Sequence, residues 1–243
     1  MQQEDKAFHE QQLATAGFTV IDNIFPDADI SAIATEIAAT VNAGPAFRKT
    51  KDLFAIRRFL REIPSLRKRI FTEKLNDIVH SLFGTDYFVV KSIYFDKPAQ
   101  SNWFVAWHQD LTISVDKKVP LQGFGPWTAK DEQFAVQPPL EILKNIFTIR
   151  IHLDDTDENN GALKVVPGSH LKGVYRPETI DWKKESMLTC KVKKGGVMIM
   201  RPLLLHASDR AAGNKNRRVI HIEFANTALP RELQWAESLH PAL

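Results

Sequence analysis

The sequence has only one cysteine among its 243 residues, which excludes an intramolecular disulfide and gives no sign of an oxidising compartment. No apolar run approaches the length of a membrane span, and the first residues, Met1–Lys6, are too polar for a signal peptide. The net charge of +3 is too small to indicate a nucleic-acid partner. These absences predict a cytoplasmic protein that contacts neither membranes nor nucleic acids.

The composition is that of an ordinary globular domain, with 44% hydrophobic and 25% charged residues. The length is sufficient for one domain with a full hydrophobic core. We therefore predict a single domain over 1–243, with a helical part at about 1–85 and a β-rich core at about 86–226. Cys190 lies in an alternating apolar stretch, which predicts a buried thiol rather than a nucleophile.

The first third of the chain has helical periodicity. One predicted helix is capped by Asp27 or Asp29 and ends at Asn42–Pro45. A second is predicted from about Ser65 to Phe83, before Gly84. The apolar face of the first helix comprises Ile30, Ile33, Ile37 and Val41.

After about residue 86 the pattern changes to short β-type runs separated by Gly, Pro and Asn turn signals. Many short strands that follow helices are typical of a β-sandwich or jelly roll with helices packed outside it. The fold class is therefore predicted as mainly β with flanking helices. The predicted strands are Tyr87–Phe95, Phe104–Leu111, Ile146–Leu153, Leu163–Val166, Met187–Val192, Val197–Met200, Leu203–Ser208 and Arg217–Phe224.

For two segments the sequence leaves more than one role open. Residues 116–144 form a long insert that contains Phe124, Trp127 and Phe134. Such aromatic content favours a lid or a substrate wall over disorder. The basic run at 57–69 indicates a solvated helix face, and the alternative is a patch that receives an anionic substrate or carrier.

His108 and Asp110 are the first candidate site residues. Two residues apart in an extended strand, they point to the same face and can ligate one metal. His206 follows the apolar Leu203–Leu205 and would complete a set of two histidines and one carboxylate. That set leaves one face of an octahedral metal open, as in non-heme Fe(II) oxygenases.

Arg217 follows at the start of the last predicted strand, which a hairpin would lay beside the strand of His206. An arginine that faces the interior needs an anion as its partner, and a dicarboxylate suits a guanidinium. Arg218 is the competing candidate, because adjacent strand residues face opposite ways. Arg150, with Thr148 and His152 on the same face of its strand, either contacts a bound molecule or is solvated.

With these residues the chain resembles the phytanoyl-CoA dioxygenase family, whose members are Fe(II)- and 2-oxoglutarate-dependent oxygenases with a double-stranded β-helix (jelly-roll, cupin-like) core. The resemblance spans about residues 87–225. It implies that the substrate is a small molecule. The motifs that carry it are Trp107-His108-Gln109-Asp110, Leu153-Asp154-Asp155-Thr156, Asn160-Gly161-Ala162-Leu163, Val166-Pro167-Gly168-Ser169-His170, His206-Ala207-Ser208 and Arg217.

The resemblance implies that His108, Asp110 and His206 ligate the iron. It implies further that Arg217 anchors the distal carboxylate of 2-oxoglutarate and that Ser208 donates to the same carboxylate. His170 belongs to a structural turn motif, and His221 is a candidate only for a position next to the ligands.

The implied reaction consumes 2-oxoglutarate and O2, releases succinate and CO2, and hydroxylates a substrate C–H. The intact Asp110 favours hydroxylation, because related halogenases carry a small residue there. The alternatives are a cupin-like hydrolase or isomerase with another metal, and a non-catalytic binding protein. Neither of these needs Arg217.

Overall fold

The computed structural model describes residues 1–40, 46–130 and 133–240. Its helices are α1 (Gln3–Thr15), α2 (Asp27–Ala39), α3 (Phe59–Glu62), α4 (Arg67–Ile70), α5 (Glu73–Phe83) and α6 (Leu140–Lys144). Its strands are β1 (Phe18–Ile21), β2 (Phe47–Lys49), β3 (Phe54–Arg57), β4 (Phe88–Lys97), β5 (Val105–His108), β6 (Ile113–Val115), β7 (Trp127–Lys130), β8 (Gln133–Val136), β9 (Ile146–His152), β10 (Leu163–Val165), β11 (Leu188–Thr189), β12 (Val197–Met200), β13 (His206–Ser208) and β14 (Arg217–Ala225).

The strands form a major sheet and a minor sheet, both antiparallel. The major sheet has the order β1-β12-β9-β14-β4-β3-β2, and the minor sheet has the order β11-β10-β13-β5. This is the predicted jelly-roll core with flanking helices. The strand order is non-sequential, so both sheets join segments that lie far apart in the chain.

The outer face of the major sheet packs against the helices. Strand β9 contributes Phe147, Ile149 and Ile151 to this layer, and all three are fully buried. Helix α2 covers them with the predicted apolar stripe Ile30, Ile33 and Ile37. Each such side chain contributes about 1.5–3 kcal/mol when it leaves water. The outer layer therefore provides the rigid support for whatever the inner face carries.

The periodicity of the N-terminal third predicted helices alone, but the structure has strands there as well. Strand β1 pairs with β12 and β3 pairs with β4, so this part also supplies strands to the major sheet. Helix α2 begins after Pro26, which makes no side-chain cap, and Asp27 and Asp29 lie in its first turn. The predicted cap was therefore wrong, although both carboxylates still favour the helix dipole. The predicted end of this helix, Val41 and Asn42–Pro45, lies outside the described residues.

The predicted helix over Ser65–Phe83 is broken. A short 3-10 turn and α4 precede Phe71, and α5 starts only after Thr72. The Thr72 hydroxyl accepts a hydrogen bond from the Leu75 N–H at 3.3 Å. A threonine at this position satisfies a free N–H of the first turn and so favours a new helix start.

The insert at 116–144 is ordered over its described residues. Strands β7 and β8 pair with each other, and β8 pairs with β6. Phe124, Trp127 and Phe134 pack against an apolar cluster around Ile113 and Val136. The predicted lid is thus a small sheet with its own core. Of the helices in the described part of the chain, none is long and apolar enough to cross a membrane.

Candidate metal centre

The three predicted ligands lie together where the minor sheet ends. His108 is the last residue of β5 and His206 the first of β13, and the two are direct partners across the antiparallel pair. Asp110 follows two residues later, and its N–H donates to the Pro202 carbonyl at 2.9 Å. The pairing of two short strands thus brings distant histidines to one point.

The ligating atoms of these three side chains all lie within 4.8 Å of one another. The Nε2 atoms of His108 and His206 are each 3.8 Å from an oxygen of Asp110, on different oxygens. This donor set of two imidazoles and one carboxylate is the one that binds non-heme iron with one face open.

The imidazole orientation is fixed by the backbone. His108 Nδ1 lies 2.8 Å from the Ala106 carbonyl, and His206 Nδ1 lies 2.8 Å from the Leu204 carbonyl. Since a carbonyl only accepts, each Nδ1 carries the hydrogen and each Nε2 offers its lone pair to the cluster. Metal-ligating histidines are commonly held in this way.

The protonation states of His206 and Asp110 also suit the binding of a cation. Burial lowers the pKa of His206 to about 4, so its ring is neutral near pH 7. Burial raises the pKa of Asp110, but His206, His221 and Lys91 outweigh it and hold that pKa below its usual range. Asp110 Oδ2 is buried without a hydrogen-bond partner among the described residues. An ionised carboxylate with an unpaired buried oxygen fits a metal ion here.

Beside this cluster, the inner face of β9 is polar from Thr148 onward. Thr148, Arg150 and His152 alternate with the apolar residues of the outer layer and are all buried. Thr148 Oγ1, Arg150 Nε and His152 Nε2 have no hydrogen-bond partner in the described ranges. Of the two interpretations of Arg150, the inward one is therefore correct.

Arg217 and Arg218 face opposite sides of β14. Arg218 forms three hydrogen bonds with Asp154, of which the two from its guanidinium measure 2.9 and 2.6 Å. Arg217 is only 3% exposed, and its Nε lacks a partner within the described residues. Arg217 is therefore the arginine of this pair that faces the interior.

The two inward guanidinium groups carry uncompensated charge. Burial lowers the pKa of Arg217 to about 9 and that of Arg150 to about 10. The charge of Arg150 lowers the pKa of Arg217 further, while Asp110 raises that of Arg150. Arg150 thus lies between the metal ligands and Arg217. Buried cations in this state are costly unless an anion pairs with them.

A hydrogen-bonded row continues from Arg150 to the edge of the site. Arg150 Nη1 lies 3.0 Å from His221 Nδ1, and His221 Nε2 lies 3.1 Å from Glu223 Oε1. Lys91 donates to the same oxygen at 2.8 Å. His221 was predicted to lie next to the ligands, and its ring does fall within 4.8 Å of Asp110.

Ser208 is buried on β13, but its hydroxyl donates to the Gly161 carbonyl at 2.8 Å. Its single hydrogen is therefore in use, and the predicted donation to a carboxylate requires the hydroxyl to rotate away from Gly161. His170 lies elsewhere, with Nε2 3.2 Å from the Ala14 carbonyl, in keeping with a structural turn. Cys190 is buried as predicted, and burial raises the pKa of its thiol to about 12.

Lys97 is a site residue that the sequence analysis missed. It pairs directly with Arg217 across β4 and β14, is fully buried, and donates to the Asp209 carbonyl. Burial and the charge of Arg217 lower its pKa to about 7. The signal in the sequence was weak, because a lysine at a strand end is ordinarily solvated.

Comparisons with known proteins agree with this geometry. A sequence profile of the phytanoyl-CoA dioxygenase family matches residues 13–219. Among curated proteins, none matches the chain in sequence.

Several solved structures share the fold. The chain is similar to the non-heme alpha-ketoglutarate-dependent carbocyclase SnoK from nogalamycin biosynthesis, with 15% identity, a TM-score of 0.67, and coverage of 94% of this chain and 85% of that one. It is similar to the epimerase SnoN in complex with Fe3+, alpha-ketoglutarate and nogalamycin RO, at 12% identity, TM-score 0.68, and coverage of 93% and 85%. Iron-bound EctD from S. alaskensis shows 16% identity, TM-score 0.68, and coverage of 93% and 76%.

Proposed function

The chain belongs to the phytanoyl-CoA dioxygenase family, and from its site we propose that it is an Fe(II)- and 2-oxoglutarate-dependent oxygenase of a small molecule. The observation that carries the proposal is a two-histidine, one-carboxylate cluster next to two buried arginines without a carboxylate partner. The cluster matches the metal, and the arginines match a dianionic cosubstrate.

In this proposal His108, Asp110 and His206 hold the iron through Nε2, a carboxylate oxygen and Nε2. Arg217 pairs with the distal carboxylate of 2-oxoglutarate. Arg150, between Arg217 and Asp110, keeps the cosubstrate directed toward the ligands. The unpartnered guanidinium atoms then gain the anion that their burial demands.

Bound iron, with 2-oxoglutarate and O2, supplies the oxidising step and releases succinate and CO2. The protein contributes orientation and the exclusion of water. Three features serve that purpose: fixed imidazole tautomers, an ionised Asp110, and buried polar side chains on the inner face of β9.

Hydroxylation of a C–H is the finer part of the proposal. Asp110 supports it, because a carboxylate in this position leaves no ligand site for a halide. The names of similar structures include a carbocyclase and an epimerase, which are other outcomes of the same cofactor chemistry. A product that is one oxygen atom heavier than its substrate distinguishes hydroxylation from both.

A metal-dependent hydrolase or isomerase is the second candidate class. Such an enzyme has no need of a dicarboxylate anchor, so two buried arginines with no carboxylate partner among the described residues would be an unexplained cost. A non-catalytic binding protein is the third, and it has no need to keep three ligands and their backbone supports. The first alternative leaves Arg150 and Arg217 without a purpose, and the second does not explain why all three ligands and Arg217 are present.

The decisive experiment is an anaerobic titration of the protein with Fe(II) and 2-oxoglutarate. We expect a visible charge-transfer band in the wild-type protein and none in His206→Ala, which lacks one of the two imidazole ligands. Calorimetry with 2-oxoglutarate provides an independent readout. Absence of the band together with absence of binding would refute the proposal. A metabolite screen for succinate release and a mass gain of one oxygen then tests hydroxylation.

A further inference from the structure

A cavity of about 540 Å³ lies between the start of α3, β4 and the small sheet of the insert. Its walls include Arg57, Arg58 and Arg61, the first part of the basic run at 57–69. The second part of the run points elsewhere: Arg67 donates to the Leu60 carbonyl and Arg69 pairs with Glu36. The solvated-face interpretation holds for the exposed Arg61, whereas Arg57 and Arg58 are half-buried in the cavity wall.

These three arginines are not neutralised by the protein. In the ranges that the structure describes, none of them has a carboxylate within 4.0 Å, the limit for an ion pair. Arg58 Nε is buried and has no hydrogen-bond partner there. Arg58 also has a φ of 53°, in the left-handed region that a long side chain seldom adopts. Strained residues of this kind concentrate at functional sites.

The carboxylates that face the cavity are already engaged. Glu237 accepts from the Ser92 N–H at 2.7 Å and from the Ser92 hydroxyl at 2.6 Å. Asp116 accepts from the Gln234 N–H at 2.8 Å. Lys91, the fourth cation of the wall, pairs with Glu223. Because Glu223 neutralises Lys91, the three arginines and two carboxylates of the lining leave an excess of one positive charge.

The rest of the wall is apolar or weakly polar. Ile93, Val115 and Phe134 form one side, and Ala135 and Ala236 leave space beside them. A wall of this kind suits the hydrocarbon body of a ligand, whereas the arginines suit a charged end. Of the three aromatic residues named in the insert, Phe134 lines this cavity.

The cavity also reaches the metal cluster. Lys91 on its wall donates to Glu223, whose carboxylate lies within 4.8 Å of the ligating atoms of Asp110 and His221. Thr112, another wall residue, is two positions after Asp110. The Lys91–Glu223 pair is thus the contact that connects the wall of this cavity with the candidate centre.

From this geometry we infer that the cavity binds the substrate, and that the substrate is an organic anion. Its carboxylate or phosphate lies against Arg57, Arg58 and Arg61, and its hydrocarbon part extends along Ile93 and Phe134 toward Asp110. The inference rests on the proposed function and specifies the substrate class of that same site.

The test compares three probes of equal chain length: octyl phosphate, octanoate and octanol. Binding is measured by calorimetry under anaerobic conditions, with the protein loaded with Fe(II) and 2-oxoglutarate. We expect at least one anion to bind ten times more tightly than octanol, and this preference to fall as salt is added. The tighter of the two anions identifies the charged group. Equal binding of all three probes overturns the inference.

The variants are Arg58→Gln and Arg61→Gln, with Arg69→Gln as the matched control outside the cavity. Each cavity variant should lose at least tenfold in anion affinity and keep its affinity for octanol, while the control keeps both. Arg61 is exposed, so its variant folds even if the strained Arg58 position does not tolerate change. Unchanged anion affinity in Arg61→Gln, or in a folded Arg58→Gln, overturns the inference.

The charge-transfer band distinguishes a failure of the oxygenase proposal from a failure of the inferred substrate class. A band in the wild-type protein without an anion preference leaves the oxygenase proposal intact and removes only the substrate class. A missing band together with no binding of 2-oxoglutarate removes the oxygenase proposal itself, whatever the probes do.

Discussion

Replacing Arg217 with methionine should stabilise the ligand-free protein. The pKa of Arg217 is about 9 instead of 12.5, which corresponds to a cost on the order of 5 kcal/mol for the buried charge. Methionine has a similar length and no charge, and such replacements of buried ionic groups stabilise by about 1–4 kcal/mol. We therefore expect a higher free energy of unfolding for Arg217→Met at pH 7.

The gain in the free energy of unfolding of Arg217→Met should change with pH in a defined direction. The pKa of Arg217 is lower in the folded state than in the unfolded chain, so the cost of its charge is complete below pH 9. Between pH 9 and 12.5 the unfolded chain holds a proton that the folded protein releases, and wild-type stability rises with pH. The advantage of the variant should therefore shrink over this window.

The same change should impair cosubstrate binding. Removing one partner of a buried, hydrogen-bonded charge pair costs about 2–5 kcal/mol, which is roughly a 30- to 5,000-fold loss of affinity. The assay is the anaerobic titration with Fe(II) and 2-oxoglutarate, beside urea unfolding of the ligand-free protein. Normal 2-oxoglutarate affinity in the variant, or a destabilised ligand-free protein, would contradict the reasoning.

Arg218→Met is the matched control on the same strand. Two of the three hydrogen bonds to Asp154 come from the Arg218 guanidinium, so its loss leaves a half-buried carboxylate with only the backbone N–H of residue 218. Charge-assisted hydrogen bonds contribute about 1.5–3 kcal/mol, and we expect a destabilisation within that range. The affinity for 2-oxoglutarate should be unchanged, because Arg218 faces away from the inner pocket.

Three further predictions concern single residues. In the wild-type protein, calorimetry should show that the affinity for 2-oxoglutarate falls as the pH rises from about 7, because Lys97 loses its charge there. Lys97→Met should weaken 2-oxoglutarate binding and remove this pH dependence. Thr72→Ala removes the cap of α5 and should cost about 1 kcal/mol, seen as a fall of roughly 2–4 °C in Tm. Cys190 is buried with a thiol pKa of about 12, so a thiol reagent at pH 8 should label it only after unfolding; rapid labelling of the native protein would contradict its placement.

The residues of the candidate centre were predictable because their signals are local. A His-x-Asp pair in a strand needs only alternation to share a face, and the apolar run before His206 indicates a strand. Their roles stay predictions until metal binding is measured. The choice between Arg217 and Arg218 was not local, since it depends on the register of β14 against β4 and β9.

The N-terminal strands could not be predicted for a related reason. Strand β1 has four residues and β2 has three, too few for a periodic signal. Their stability comes from pairing with β12 and β3 and from burial against a sheet assembled from distant segments. A pattern read along the chain records neither partner.

The position of Lys97 shows the same limit for a single charge. Lysine usually reaches water along its flexible stem, yet here the neighbouring strands leave it fully buried beside Arg217. A third cation at this point has no use in a structural core. It is consistent with a pocket that receives a ligand with two negative charges.

The residue pattern of β9 supports one more inference that could have been drawn from the sequence. Its residues alternate strictly between apolar and polar types, the usual sign of one solvated face. All seven are buried, because the jelly roll covers both faces of its central strands. A polar stripe on a strand that the fold encloses cannot be hydrated and must be matched by other groups. The described residues leave Thr148, Arg150 and His152 each with an unpaired atom, and the buried charge of Arg150 is consistent with the anionic cosubstrate proposed above.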